Sequence, residues 1–242
     1  MVKEIVLSIC IPTYNRIAQL QKTISQILVC KSPKYEVVVL DNCSLDDTYS
    51  VLKNIKDCHL QVYKNEKNIG AYANSRKVFE LAKGKYVMIL LDKDRLVGER
   101  LDVLLDVLEK EDYGLGYCML NCIEEKENLS FSPGIDSLMN MSYLSKHPSG
   151  SFYRNTLLQK NLCKTKSDTY NPFYLEFVNA EICMEEFKTI IVKSLLVCTE
   201  TEEELIKTQT HTYNMDNLFF LPKSRRILKL IPALLGKGKI TL

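Results

Sequence analysis

The chain has 242 residues, 46% hydrophobic and 26% charged, which fits one large soluble domain able to bury its core without disulfide or metal staples. The formal net charge is +2, but the stretch from Phe219 to Leu242 holds six basic residues and no acidic ones, so residues 1–218 carry −4. A mildly acidic body with a basic tail argues against a nucleic-acid-binding domain, which sets basic residues along one face of the body. No apolar run approaches the about 20 residues needed to span a bilayer. The nine cysteines are an odd number with no C-x-x-C pair, so they read as reduced thiols of a cytoplasmic protein rather than as disulfides or a zinc site. Met1 to Glu4 lead straight into a strand-like run, and the expectation is that no signal peptide is present.

In chain order, Ile5 to Ile11 reads as a buried strand, and Ile17 to Val29 as a helix with apolar residues at 17, 20, 24, 27 and 28. Tyr35 to Leu40 is a second strand. Ser44 predicts the N-cap of a helix running to about Lys56, with Asp46 and Asp47 in its first turn favouring the dipole. Leu60 to Tyr63 is a third strand, and Ala71 to Lys83 a helix with Gly84 as its C′ residue. Tyr86 to Leu91 is apolar throughout, a strand buried on both faces, and Gly98 to Lys110 is an amphipathic helix. This alternation predicts an α/β fold with a mostly parallel central sheet and helices on both faces. The second half is less regular. Tyr117 to Ile123 is a strand, 124–150 a polar loop with short helical pieces, Ser151 to Tyr153 a strand, Tyr174 to Glu186 a helix and Thr189 to Val197 a strand. The expected organisation is one domain over 1–218, divided into 1–110 and 111–218, with a basic amphipathic tail at 219–242.

Ligands of open α/β sheets bind beyond the carboxyl ends of the strands. There the sequence sets four polar loops: Pro12-Thr13-Tyr14-Asn15-Arg16, Asp41-Asn42-Cys43-Ser44, Asn65 to Gly70, and Asp92-Lys93-Asp94-Arg95. Asp92 and Asp94 follow an apolar strand without a spacer, where a carboxylate is costly unless paired or bound to metal. At i and i+2 across a turn they can converge on Mg²⁺ or Mn²⁺ shared with substrate phosphates, which suits loss of a nucleoside diphosphate. Their other reading is capping of the turn and the next helix. Asp41 is either a turn residue or an acceptor for a base or ribose. Tyr14 either stacks on a base or packs on the sheet edge.

Ser8 to Arg16, Val37 to Thr48, Asn65 to Gly70, Asn74 to Arg76 and Gly84 to Asp94 resemble, in that order, the motifs of glycosyltransferase family 2, which has the GT-A fold. The resemblance covers residues 5–110 closely and 147–197 loosely. It implies an inverting enzyme of the bacterial capsule, O-antigen or exopolysaccharide type. Such an enzyme moves a sugar from a nucleotide diphosphate donor, with a UDP-sugar expected, to a glycan or lipid-linked saccharide. By the same resemblance Pro12, Thr13, Tyr14 and Arg16 would line the nucleotide pocket, and Asp41 would contact the base. Asn68, Gly70 and Arg76 would lie against the donor, and Asp92 and Asp94 would form the D-x-D pair with Asp94 the direct metal ligand.

Two departures stand out. Cys43 replaces a glycine-like residue, and Lys93 sits where many relatives carry an acid, its charge offsetting the site or meeting phosphate. The family's acidic pair for the catalytic base is missing. Glu176, then Glu181, are the candidates, against a solvated helix face. His147-Pro148-Ser149-Gly150-Ser151 resembles an acceptor-side segment, in which His147 binds acceptor or completes the metal shell and Ser149 accompanies it. The 219–242 tail is either a peripheral membrane contact or an ordinary packed helix. A sugar nucleotidyltransferase would need a glycine-rich loop after the first strand, which is not there. A catalytically inactive sugar-nucleotide-binding module is the non-enzymatic alternative.

Overall fold

A computed structural model describes residues 4–122, 126–142, 144, 147–164 and 174–198. The predicted tail at 219–242 lies outside the described residues. The first half alternates β1 (Leu7–Thr13), α1 (Ile17–Ile27), β2 (Tyr35–Asp41), α2 (Thr48–Lys53), β3 (Leu60–Lys64), α3 (Ala71–Glu80) and β4 (Tyr86–Ile89). Then come β5 (Arg95–Leu96), α4 (Leu101–Lys110), β6 (Tyr113–Leu120), β7 (Leu129–Phe131), α5 (Ile135–Met141), β8 (Ser151–Arg154), α6 (Asn155–Lys164), α7 (Tyr174–Cys183) and β9 (Lys188–Cys198).

All these strands join one sheet in the order β3-β2-β1-β4-β8-β6-β9-β5, with β7 also on β9. From β3 to β4 it is parallel, as the alternating pattern predicts. Beyond β4 it is mixed: β8 is antiparallel to both neighbours, β6 and β9 are parallel, and β5 and β7 run against β9. Successive residues of each strand feed opposite faces. Leu7, Ile9 and Ile11 of β1, with Val37, Val39, Tyr86 and Met88, pack against α1, α2 and α4. Cys10, Val38, Leu40, Val87 and Ile89 pack against α3, α5, α6 and α7. Burial on both faces is why β1, β2 and β4 read as unbroken apolar runs.

Several local expectations change. Ser44 does not cap α2, which starts at Thr48. Asp46 instead accepts from the Thr48 N–H at 3.0 Å, and Ser44 turns back to Asp41. Gly84 is not the C′ residue of α3, which ends at Glu80. A Cβ on Gly84 would stand 2.7 Å from the Ser8 nitrogen, so glycine serves a close approach to β1. β6 starts at Tyr113 rather than Tyr117, because Gly114 and Gly116 break the apolar pattern. A Cβ on Gly116 would overlap the Phe152 ring. Helix α6 escapes a periodicity reading because Asn161, donating to the Leu157 carbonyl at 2.9 Å, occupies its buried face. β7 has two exposed residues out of three and so shows no alternation.

Candidate active site

The parallel strands β1 to β4 bring their four loops to one edge, and the strand ends are in register. Thr13 stands beside Asp41, and Asp41 beside Lys64. Backbone bonds continue this pairing into the loops, from Asn42 N–H to the Thr13 carbonyl and from Asn65 N–H to the Asp41 carbonyl, both at 2.9 Å.

After β1, Pro12 and Thr13 are buried while Tyr14 is 38% exposed. Asn15 adopts a left-handed φ of 54°, which lets its N–H donate to Ser44 Oγ at 2.8 Å and its Oδ1 accept from Leu45 N–H at 2.8 Å. The loops after β1 and β2 are thereby fastened together. Asp41 is fully buried, its carboxylate accepting the N–H and hydroxyl of Ser44, with Lys64 Nζ 3.8 Å away. The turn reading of Asp41 is therefore realised in the geometry. Cys43 has a φ of 64°, in the region that favours glycine, so the side chain replacing a glycine-like residue sits on a strained backbone.

An asparagine network, which the sequence does not single out, places the loop after β3. Asn42 donates to Asn68 Oδ1 at 2.9 Å, Asn65 donates to Asn42 at 3.1 Å and to Asn74 at 2.8 Å, and Asn74 donates to the Leu40 carbonyl at 3.1 Å. Asn68 Oδ1 also accepts from Gly70 N–H at 2.9 Å, and Gly70, with φ 84°, opens α3. Asn42, Asn65 and Asn68 in the loops after β2 and β3, with Asn74 on α3, are the signal that could have revealed it. Arg76 donates to the Leu162 carbonyl of α6 at 3.0 Å.

After β4 the two aspartates take separate partners. Asp92 Oδ2 accepts from Thr13 Oγ1 at 2.9 Å, and Arg16 Nε lies 3.8 Å from Oδ1. Burial pushes the Asp92 carboxyl above its ordinary range. Thr13 and Arg16 pull it back, and the charge of Asp94 adds to the rise. Lys93 is half-buried between them. Asp94 is fully buried. Its Oδ2 accepts from Ser149 Oγ and lies 3.6 Å from His147 Nε2, while buried Thr23 of α1 donates to its carbonyl at 3.2 Å. Ser149 Oγ also accepts from Leu91 N–H at 2.9 Å. Ser149 was expected to meet acceptor. It is fully buried, and its hydroxyl is spent on Asp94 and Leu91.

The base candidates divide by height along α7. That helix runs down to β9, which starts at Lys188 beside Tyr113 at the amino edge of the sheet. Glu176, in the first turn, is thus nearest the carboxyl edge. Glu181 lies about 7 Å farther down the helix. It is fully buried and paired with Lys164 Nζ of α6 at 2.8 Å. Its carboxylate is thus engaged by Lys164, whereas Glu176 is half-buried.

As a donor set, Asp94 with His147 beside it and Asp92 next in the loop suits an ion that also takes phosphate oxygens. Among the described residues, Asp92, Asp94 and His147 do not gather three ligand atoms as closely as Asp57, Cys58 and His59 do. Asp94 has His147 and Ser149 at its side, and Asp92 is held against Thr13 and Arg16.

Comparison with known proteins agrees with this architecture. Residues 8–171 match the profile of "Glycosyl transferase family 2". The GalNAc(5)-diNAcBac-PP-undecaprenol beta-1,3-glucosyltransferase of Campylobacter jejuni is 31% identical over 170 residues, 66% of this chain and 53% of that protein. The chain spans about half or less of the length of the curated relatives it matches first. S. aureus TarS 1-349 in complex with UDP-GlcNAc superposes with a TM-score of 0.58 at 17% identity, covering 82% of this chain and 59% of that one. The mannosyltransferase PcManGT from Pyrobaculum calidifontis, in complex with GDP-Man and Mn²⁺, superposes with a TM-score of 0.61 at 16% identity, covering 82% and 58%. These likenesses show the GT-A fold. With the family profile matching more than half its length, the chain belongs to glycosyltransferase family 2.

Proposed function

We propose that this chain is the catalytic domain of an inverting glycosyltransferase. It moves a sugar from a UDP-sugar to a saccharide acceptor, lipid-linked, in surface polysaccharide synthesis. The observation that carries this reading is the division of labour at the end of β4. Asp92 is tied to the nucleotide-side loop through Thr13 and Arg16, and Asp94 to the 147–149 segment. A donor lying across that edge would place its nucleoside among Pro12, Thr13, Tyr14 and Asp41, and its diphosphate at Asp94. Arg16 and Lys93 add positive charge there, and Asn68 and Gly70 form the side wall.

Asp94, with Asp92 behind it and His147 at its side, would hold Mn²⁺ or Mg²⁺. A bound ion supplies neutralisation of the charge that builds on the departing diphosphate. Asp94 has no accessible surface, so the His147 to Ser149 segment must give way for an ion to reach it. Glu176 is the general base in this reading, taking the proton of the acceptor hydroxyl as it attacks the anomeric carbon from the side opposite the leaving diphosphate. The acceptor class is suggested by the undecaprenol-linked substrate named for the Campylobacter relative, and the donor by the UDP-GlcNAc named for the TarS complex. The basic, apolar 219–242 segment would hold the enzyme at an anionic membrane surface. Deletion from Leu218 onward should then release it from anionic vesicles, and a full-length protein that never binds them contradicts this part.

Calorimetry tests the core claim. UDP should bind in the presence of Mn²⁺, GDP more weakly, and Asp94→Ala should abolish the metal-dependent binding and lower transfer by about 10²-fold or more. UDP binding that survives both chelator and Asp94→Ala would overturn the metal assignment.

A further inference from the structure

We propose a second metal centre, at the opposite edge of the sheet from the donor loops. Asp57, Cys58 and His59, in the turn that enters β3, form a three-ligand site for a zinc-class divalent ion. The site goes beyond the transfer reaction proposed above and does not depend on it.

The ligand atoms of these three residues all lie within 4.8 Å of one another, a convergence that no other such group reaches among the described residues. His59 Nδ1 stands 2.9 Å from Asp57 Oδ1 and 3.7 Å from Cys58 Sγ. Its other nitrogen, Nε2, lies 3.0 Å from the Ser32 carbonyl oxygen. A carbonyl can only accept, so Nε2 carries a proton and donates it there. In the neutral ring Nδ1 then presents a lone pair to a carboxylate oxygen. Two acceptors at 2.9 Å repel each other, and either a proton or a metal ion between them relieves that repulsion. A proton satisfies that pair alone, whereas a metal ion also engages the thiol.

The surroundings hold the ring in place for this role. It stacks on Tyr35 with centroids 4.4 Å apart and planes 9° from parallel. The Tyr35 hydroxyl is itself held at the Ile27 and Cys30 carbonyls, at 3.2 and 3.1 Å. The His59 backbone N–H donates to Asp57 Oδ1 at 2.9 Å and so aims the carboxylate. A carbonyl on the far nitrogen of a metal-binding imidazole is the usual device for fixing its tautomer and orientation.

The donor set selects the metal. A thiolate, an imidazole and a carboxylate together suit zinc, whereas Mg²⁺ and Ca²⁺ take oxygen ligands. Zinc bond lengths of about 2.0 to 2.3 Å put tetrahedral ligands about 3.3 to 3.6 Å apart. The sulfur–nitrogen separation of 3.7 Å needs to close slightly, the nitrogen–oxygen pair to open by about half an ångström, and all three ligand atoms lie within 4.8 Å to begin with. On coordination the Cys58 thiol proton and any proton held between Nδ1 and Asp57 pass to solvent. Cys58 is exposed, which leaves the fourth position to water. Through Ser32 the centre ties the entry of β3 to the loop between α1 and β2.

Cobalt(II) titration of the full chain tests this. A thiolate ligand produces a near-ultraviolet charge-transfer band that an oxygen- and nitrogen-ligated donor site cannot. The band should saturate at a single ion per chain, disappear in Cys58→Ser, and need at least about tenfold more cobalt in His59→Gln. Zinc should raise the melting temperature of the unaltered protein more than that of Cys58→Ser. Absence of the band in the unaltered protein, or its persistence at full strength in Cys58→Ser, overturns the proposal. Asp94→Ala should keep the band, so failure of the donor-site metal and failure of this centre are told apart.

Discussion

The two halves of the sheet use polar residues in opposite ways. In the first half, polar side chains gather at one edge and bond loop to loop: Thr13 to Asp92, Ser44 to the N–H of Asn15, Asn42 to Asn68. In the second half they turn inward and bond element to element. Ser137 of α5 meets Thr189 of β9 at 2.9 Å inside the domain, and Lys164 of α6, itself exposed, pairs with buried Glu181 of α7 at 2.8 Å. Topology explains the contrast. Parallel strands joined by helices deliver every βα loop to the same edge, so strand-end polarity reads as a site. Antiparallel strands such as β8 send their connections to both edges, and polar residues there mark no common place. The segment 147–150 crosses between the halves, with Gly150 N–H on the Ile89 carbonyl at 3.0 Å and Ser149 on Asp94.

The largest expected effect separates the halves outright. Glu176→Gln should lower kcat by about 10²- to 10⁴-fold, the usual contribution of a general base, while UDP and metal binding stay intact. Full transfer activity in that variant would remove Glu176 from the mechanism.

A smaller effect probes the crossing segment. Ser149→Ala removes, in a buried place, the hydroxyl that donates to Asp94 Oδ2 and accepts from Leu91 N–H. It should cost about 1 to 3 kcal/mol of stability by denaturant unfolding and weaken metal-dependent UDP binding about tenfold. Unchanged UDP affinity would mean that the donor half alone positions Asp94.

The smallest effect concerns Asp92 in metal-free protein. Its folded pKa is raised by burial above the unfolded value, so its contribution to stability is fully present below the unfolded pKa and is lost as pH rises through the folded one. Asp92→Asn keeps an oxygen for Thr13 and removes the buried charge. It should raise the melting temperature at pH 7, with the gain fading as pH falls toward about 3.9. An equal gain at both ends of that range would show that charge burial is not the cause.

Much of the first half is legible because two periodicities are strong there: buried strands as apolar runs, helices as spaced apolar residues. Ser44 and Gly84 were misread where one residue type serves two purposes, a serine hydroxyl closing a turn and a glycine making room for β1. The sequence by itself determined the four strand-end loops, the D-x-D pair among them and the family, because these are local patterns repeated at regular spacing. The tertiary structure alone decided which polar group faces which. It paired Glu181 with Lys164, set Ser149 against Asp94, and placed His59 between Asp57 and the Ser32 carbonyl. Most of those outcomes depend on contacts between residues far apart in the chain, such as Ser149 with Asp94 and His59 with Ser32, and a buried carboxylate or hydroxyl takes whatever partner the packing brings to it.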